Sequence, residues 1–123
     1  MKSETPENEL HTEHYDNGQR KSEFNYKNGK AHGKWSNWYE NGQKAGEAFF
    51  EDDKLNGRVI IWDETGNKTL EENYLSGNLN GRKTSWNKDG QKESELDYKD
   101  GYRHGKYIVW GNGEIMREFN YEN

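Results

Sequence analysis

Tryptophan stands at positions 38, 62, 86 and 110, an interval of 24 residues kept without slippage. Glycine repeats at the same interval at 33, 57, 81 and 105, and again at 18, 42, 66 and 90; an aromatic residue does so at 26, 50, 74 and 98. A period of this length means stacked supersecondary units, each too small to bury a hydrophobic face alone and stable only against its neighbours. The copies run 14–37, 38–61, 62–85 and 86–109, followed by a partial copy over 110–123 that lacks one residue near Gly113. Glutamate keeps one column (Glu23, Glu47, Glu71, Glu95, Glu118), and a basic residue follows the glycine that closes each unit (Lys34, Arg58, Arg82, Lys106).

The turn chemistry decides what the units are. Asp16-Asn17-Gly18, Glu40-Asn41-Gly42 and Lys88-Asp89-Gly90 separate alternating segments, and Asn-Gly or Asp-Gly in that setting signals a β-hairpin because Gly takes positive φ at little cost. A second turn follows in each unit at Lys27-Asn28-Gly29-Lys30, with Asp53, which tolerates the left-handed region, in the Gly29 column. Alternation with period two appears in Phe24 and Tyr26 and in Leu96 and Tyr98, no helical pattern occurs, and the single proline, Pro6, precedes the repeats. The expectation is an all-β chain: tandem hairpins forming an open, elongated, twisted, single-layer antiparallel sheet of about nine strands, two per unit.

Composition fits a thin sheet better than a packed two-layer domain. Only 28% of residues are hydrophobic against 33% charged, a balance that approaches disorder, but 14% are aromatic, and those sit at fixed phase where each can cover much surface. Residues 1–13 (MKSETPENELHTE) are polar and aperiodic and are expected to form a loose tail, leaving 14–123 as the repeat domain. The chain has no cysteine, hence no disulfide or thiolate zinc site, and no apolar stretch of membrane-span or signal-core length. With Met1 as the native start, a cytoplasmic protein is expected. Of the net charge of −5, the tail carries −3, so the repeats are near neutral. Neither nucleic acid nor an anionic membrane is favoured by that balance; a basic protein partner is.

Register follows from the turns. If Asn-Gly closes a short hairpin, Trp38 opposes Lys44, and counting outward Arg58 meets Glu72 and Arg82 meets Leu96. Opposed residues share a face. One face would then carry the tryptophan, tyrosine/phenylalanine and basic columns. The other would carry the glutamates with Trp35, Val59, Tyr107, Ile61 and Val109.

The repeated glutamates read as structural, because five equivalent carboxylates lack the unlike environments that separate the pKa values of a catalytic pair. His32 and His104 share a column with Asn56 and Asn80, residue types enriched at positive φ, and read as turn residues. His11 and His14 have no further ligand spaced near them and read as part of the solvated tail. No catalytic set, cofactor site or metal site is expected.

The units resemble MORN repeats, in particular the bacterial variant with the pattern G-K-W-x-x-W/Y-Y-x-N-G-x-x-x-x-E-x-x-Y-x-x-G-x-x-x-G. Here it reads Gly33-Lys34-Trp35, Trp38-Tyr39-Glu40-Asn41-Gly42, Glu47, Phe50 and Asn56-Gly57, and the resemblance extends from His14 to Tyr121, with His14 replacing tryptophan in a terminal capping copy. The resemblance implies successive β-hairpins in one long twisted sheet and a non-enzymatic antitoxin or immunity component of a toxin–antitoxin system, binding a toxin and masking its active surface. The alternative is a structural or adaptor scaffold, membrane-apposed in some relatives; open sheet edges would also allow oligomerisation. Aromatic residues left exposed mark a binding surface, since interfaces enrich Trp and Tyr. The candidates are Trp35, Tyr39, Trp62, Trp86, Tyr107 and Trp110, with Glu47, Glu71 and Glu95 offering charge to a basic partner.

Overall fold

The computed structural model describes residues 8–122. Ten strands follow one another in a single open antiparallel sheet as five hairpins. These are β1 (Asn8–His14) with β2 (Arg20–Lys27), β4 (Gly33–Trp38) with β5 (Lys44–Glu51), and β7 (Gly57–Trp62) with β8 (Lys68–Leu75). The remaining two are β10 (Gly81–Trp86) with β11 (Lys92–Lys99), and β12 (Tyr102–Gly111) with β13 (Glu114–Tyr121). Three two-residue strands, β3 (Lys30–Ala31), β6 (Lys54–Leu55) and β9 (Asn78–Leu79), fold back on β2, β5 and β8, giving 13 strands in all.

Beside the three two-residue strands, the ten longer ones exceed the expected nine for a physical reason. A repeat boundary drawn at tryptophan cuts a hairpin in half, so the first hairpin begins upstream of His14. Residues 8–13, expected to be loose tail, form most of β1 and pair with β2 from Asn8↔Lys27 to His14↔Arg20; residues 1–7 lie outside the described residues. His11 and His14 therefore belong to a strand. The polar sequence NELHTEH hides it: an edge strand can form by satisfying the backbone of its neighbour without apolar alternation.

Two kinds of turn alternate. In the hairpin loop, Tyr39 and Gln43 are joined by a backbone bond of 2.9 Å, Gly42 N–H donates to the Tyr39 carbonyl at 3.0 Å, and Gly42 has φ +88°. This is the three-residue loop of a turn followed by a left-handed glycine. At the other end, Asn28–Gly29, Asp52–Asp53, Ser76–Gly77 and Asp100–Gly101 have positive φ at both central residues, as two-residue hairpin turns require. The residue missing near Gly113 converts the last hairpin loop into this second kind, at Asn112–Gly113.

Register departs from the expectation by one residue beyond every loop. Trp38 opposes Lys44 and Trp62 opposes Lys68 as expected, but Asn37 opposes Gly46 and Ile61 opposes Leu70, so Ala45 and Thr69 are bulged. Arg58 consequently meets Asn73, not Glu72, and Arg82 meets Asp97, not Leu96. A one-residue slip moves everything beyond it to the opposite face. The glutamates therefore share a face with the tryptophan and basic columns, and the tyrosine/phenylalanine column joins Trp35, Val59, Tyr107, Ile61 and Val109 on the other. The bulge also explains why Lys44 reaches Glu47 at 2.6 Å, a contact between positions three apart that an unbroken strand would hold on opposite faces.

Hydrogen bonds tie neighbouring turns together at both margins of the sheet. Tyr15 and Tyr39 hydroxyls donate to the Trp38 and Trp62 carbonyls, each at 2.7 Å, and Asn17 and Asn41 side chains donate to the Glu40 and Glu64 carbonyls at 3.2 and 3.1 Å. On the far margin, Asn56 Oδ1 accepts from Ser76 N–H at 2.9 Å and Asn80 Oδ1 from Asp100 N–H at 3.1 Å. His32 and His104 occupy this column but none of its members has positive φ; that belongs to the glycine that follows, as at Gly81 with φ +112°. His32 Nδ1, in the place of the accepting asparagine oxygen, is buried without a partner.

Burial is shallow. Among the described residues, Ala45, Ala48, Ile60 and Leu96 are the buried apolar ones, and no large side chain is fully buried. Two stability outcomes follow. Gly42→Val should cost about 1–3 kcal/mol in a urea melt, because a β-branched residue resists φ +88°; an unshifted midpoint would contradict the loop geometry. His32→Asn should raise stability by about 1 kcal/mol, by supplying the Asp52 amide with the oxygen that its counterparts use; equal or lower stability in the same melt would refute that account.

Candidate functional site

The two faces differ in how far their polar groups are already engaged. On the tryptophan face, Glu47 is held by Lys44 and Lys34 (2.6 and 3.4 Å), Glu71 by Lys68 and Arg58 (3.0 and 3.4 Å), and Glu95 by Lys92 and Arg82 (2.8 and 3.3 Å). Cations of this face also lie over three indoles: Lys68 Nζ is 5.3 Å from the Trp86 ring centroid, Lys92 Nζ 5.7 Å from Trp110, and the guanidinium of Arg20, which pairs with Glu23, 4.2 Å from Trp38. Partial burial pushes the Glu47 and Glu71 carboxyls up, but the lysine hydrogen bonds and the charges on both sides outweigh it, leaving both below the usual glutamate value. Carboxylate, cation and indole thus interlock from hairpin to hairpin.

This accounts for six of the candidate residues. Trp62, Trp86, Trp110, Glu47, Glu71 and Glu95 lie together on the tryptophan face, all half-buried, with the carboxylates neutralised internally. Tyr39 is at the margin, its hydroxyl spent on the Trp62 carbonyl. Trp35 and Tyr107 lie on the opposite face, at different ends of the sheet.

That opposite, tyrosine face is aromatic at both ends and polar between them. In the middle, Lys83 pairs with Glu72 at 3.4 Å, and the Tyr74 hydroxyl donates to Glu72 at 3.1 Å. Toward the C-terminal end, Tyr107 stacks on Phe119 with centroids 5.8 Å apart and lies 6.4 Å from Tyr121. Toward the N-terminal end, Trp35 lies parallel to Phe24, with an interplanar angle of 9° and centroids 6.5 Å apart, and Phe24 meets Tyr26 edge-on at 6.4 Å. Here β2 and β4 pair only through Ser22↔Asn37 and Glu23↔Ser36 and then diverge, opening a cavity of about 240 Å³ bounded by Phe24, Tyr26, Ala31, Gly33, Trp35 and Phe50. Sequence reasoning singled out Trp35 but missed Phe24, Tyr26 and Phe50 as its companions, because the unrecognised bulge put the wrong columns on one face. The signal available was compositional: only between the first and second hairpins do Phe24, Tyr26, Trp35 and Phe50 fill all four positions that Ala48, Phe50, Val59 and Tyr74 occupy one unit later.

The MORN repeat variant model matches residues 10–28 and 31–52, the first two hairpins and the turns that close them. Those segments, which hold the aromatic cavity, are similar to a repeat whose members are in general protein- or membrane-binding modules and not a known enzyme family. No curated protein matches the chain. Among the described residues no helix is long and apolar enough to cross a membrane.

The engaged glutamates predict a pH dependence with a definite sign. A carboxyl whose folded pKa is depressed contributes stability above its unfolded value of about 4.3, and loses it as pH falls through the folded value. Glu71→Gln should therefore be less stable than the parent at neutral pH, by less than about 1 kcal/mol because solvent screens the pair. The two melting curves should converge as pH drops below 4; a difference that persists there would mean that the carboxylate charge is not what stabilises.

Proposed function

We propose that this chain acts by binding a protein, without catalysis, and that its partner is a toxin whose active surface it masks as a cytoplasmic antitoxin or immunity component. The observation that carries the binding reading is the tyrosine face. It presents half-buried Phe24, Tyr26, Trp35 and Phe50 around an open cavity in a sheet over which the described residues lay no second layer. Rigid aromatic anchors beside a desolvated pocket are the features that concentrate binding energy at interfaces. The tryptophan face supports this by contrast, since its cations and carboxylates satisfy one another. The toxin partner rests on the resemblance to the MORN repeat variant and on the acidic balance of the chain, which favours a basic partner.

Co-expression with a toxin encoded beside this chain tests the proposal. Growth should be rescued, the two proteins should co-purify, and Trp35→Ala should weaken the complex at least about tenfold if the ring is an anchor. No rescue and no complex would remove the antitoxin reading and leave the scaffold reading in its place.

A further inference from the structure

The aromatic cavity does not stand alone. Strand β1 places Glu9, His11 and Glu13 on the tyrosine face, opposite Tyr26, Phe24 and Ser22. They line a second depression of about 380 Å³ that shares Phe24 and Tyr26 with the cavity as a common wall. Glu13 accepts a hydrogen bond from the Ser22 hydroxyl at 2.8 Å, and Glu9 contacts His11 Nε2 at 2.8 Å, while His11 packs edge-on against Tyr26 at 5.1 Å. Among the described residues, neither carboxylate has a lysine or arginine partner, whereas Glu23, Glu47, Glu71 and Glu95 on the other face each have at least one. The first two hairpins therefore hold an apolar cavity walled by aromatic rings and, across one wall, two carboxylates that no lysine or arginine of the described residues pairs with.

We infer that this paired site takes an extended basic segment of a partner protein: an aromatic side chain enters the cavity, and a lysine or arginine two residues away lies in the depression that Glu9, His11 and Glu13 share with Phe24 and Tyr26. The proposal rests on the protein-binding reading above and names the chemistry of the partner. The spacing fits. An extended chain repeats same-face side chains about every 7 Å, and the two compartments lie over adjacent strand pairs, one strand spacing of roughly 5 Å widened by the divergence of β2 and β4. Charge complementarity selects the cation, and the rings add cation–π attraction to the carboxylates. An acidic segment would meet two like charges in the same compartment.

The probe is the capped tripeptide Ac-Phe-Gly-Arg-NH2, titrated into the isotope-labelled full chain and followed by amide and indole chemical shifts. Saturable shifts are expected at Phe24, Gly33 and the Trp35 indole. Ac-Phe-Gly-Glu-NH2 and Ac-Ala-Gly-Arg-NH2 should each bind about tenfold more weakly. In the Glu9→Gln, Glu13→Gln double variant, which keeps an oxygen for the Ser22 hydroxyl, the preference for arginine over glutamate should collapse while the phenylalanine preference stays. Equal binding of the arginine and glutamate peptides, or shifts confined to the tryptophan face, would overturn the proposal. Trp35→Ala that remains folded by circular dichroism and binds the peptide undiminished would overturn it too. If the peptide fails but a toxin still co-purifies with the full chain, this site is wrong and the antitoxin reading survives. If the peptide binds with arginine selectivity but no toxin does, the site stands and the antitoxin reading falls.

Discussion

One extra residue in each hairpin governs which side chains meet. Lys21, Ala45, Thr69, Glu93 and Met116 are bulged in turn, each three residues after the glycine that ends the loop. Without the bulge, each glutamate would face away from the basic column and the tryptophans, and its charge would have to be satisfied by water or by the tyrosines. With it, carboxylate, cation and indole lie on one surface and each hairpin is tied to the next by side chains. The aromatic residues displaced to the other surface are left without such a lattice.

Much of the architecture was legible in the sequence because it depends on residues with few alternatives. A left-handed loop position calls for glycine, and Gly18, Gly42, Gly66 and Gly90 mark it; a two-residue turn with positive φ at both positions calls for Asn, Asp or Gly, and every such turn but Ser76–Gly77 is built from them alone. The bulge was not legible, because its five residues share no size, charge or conformational constraint. β1 was not legible either, since its stability comes from the backbone of β2 rather than from its own apolar pattern. The candidate site inherited both errors: without β1 there are no Glu9 and Glu13, and without the bulge Trp35 stands apart from Phe24, Tyr26 and Phe50.

The repeat also shows where identical positions stop being equivalent. In the loop column, Tyr15 and Tyr39 reach the next unit's carbonyl, while Asp63 and Asn87 turn inward: Asp63 Oδ1 accepts from Thr65 and Asn67 amides at 3.0 Å each, and Asn87 Oδ1 from Asp89 and Gln91 amides at 2.9 and 3.0 Å. Along the hairpin-loop margin, the first half of the sheet is thus bound loop to loop by hydroxyl struts, and the second half has self-contained loops. The aromatic cavity lies in the strutted half, where two diverging strands are held at a fixed separation by the turns at either end.

Because the bulge lies inside every hairpin and not between hairpins, the 24-residue interval contains one complete flip and its return to register. A duplicated or deleted unit would leave every column on the surface it already occupies. Such a chain can change the length of its tyrosine face by recombination, one hairpin at a time, without redesigning the lattice that supports it.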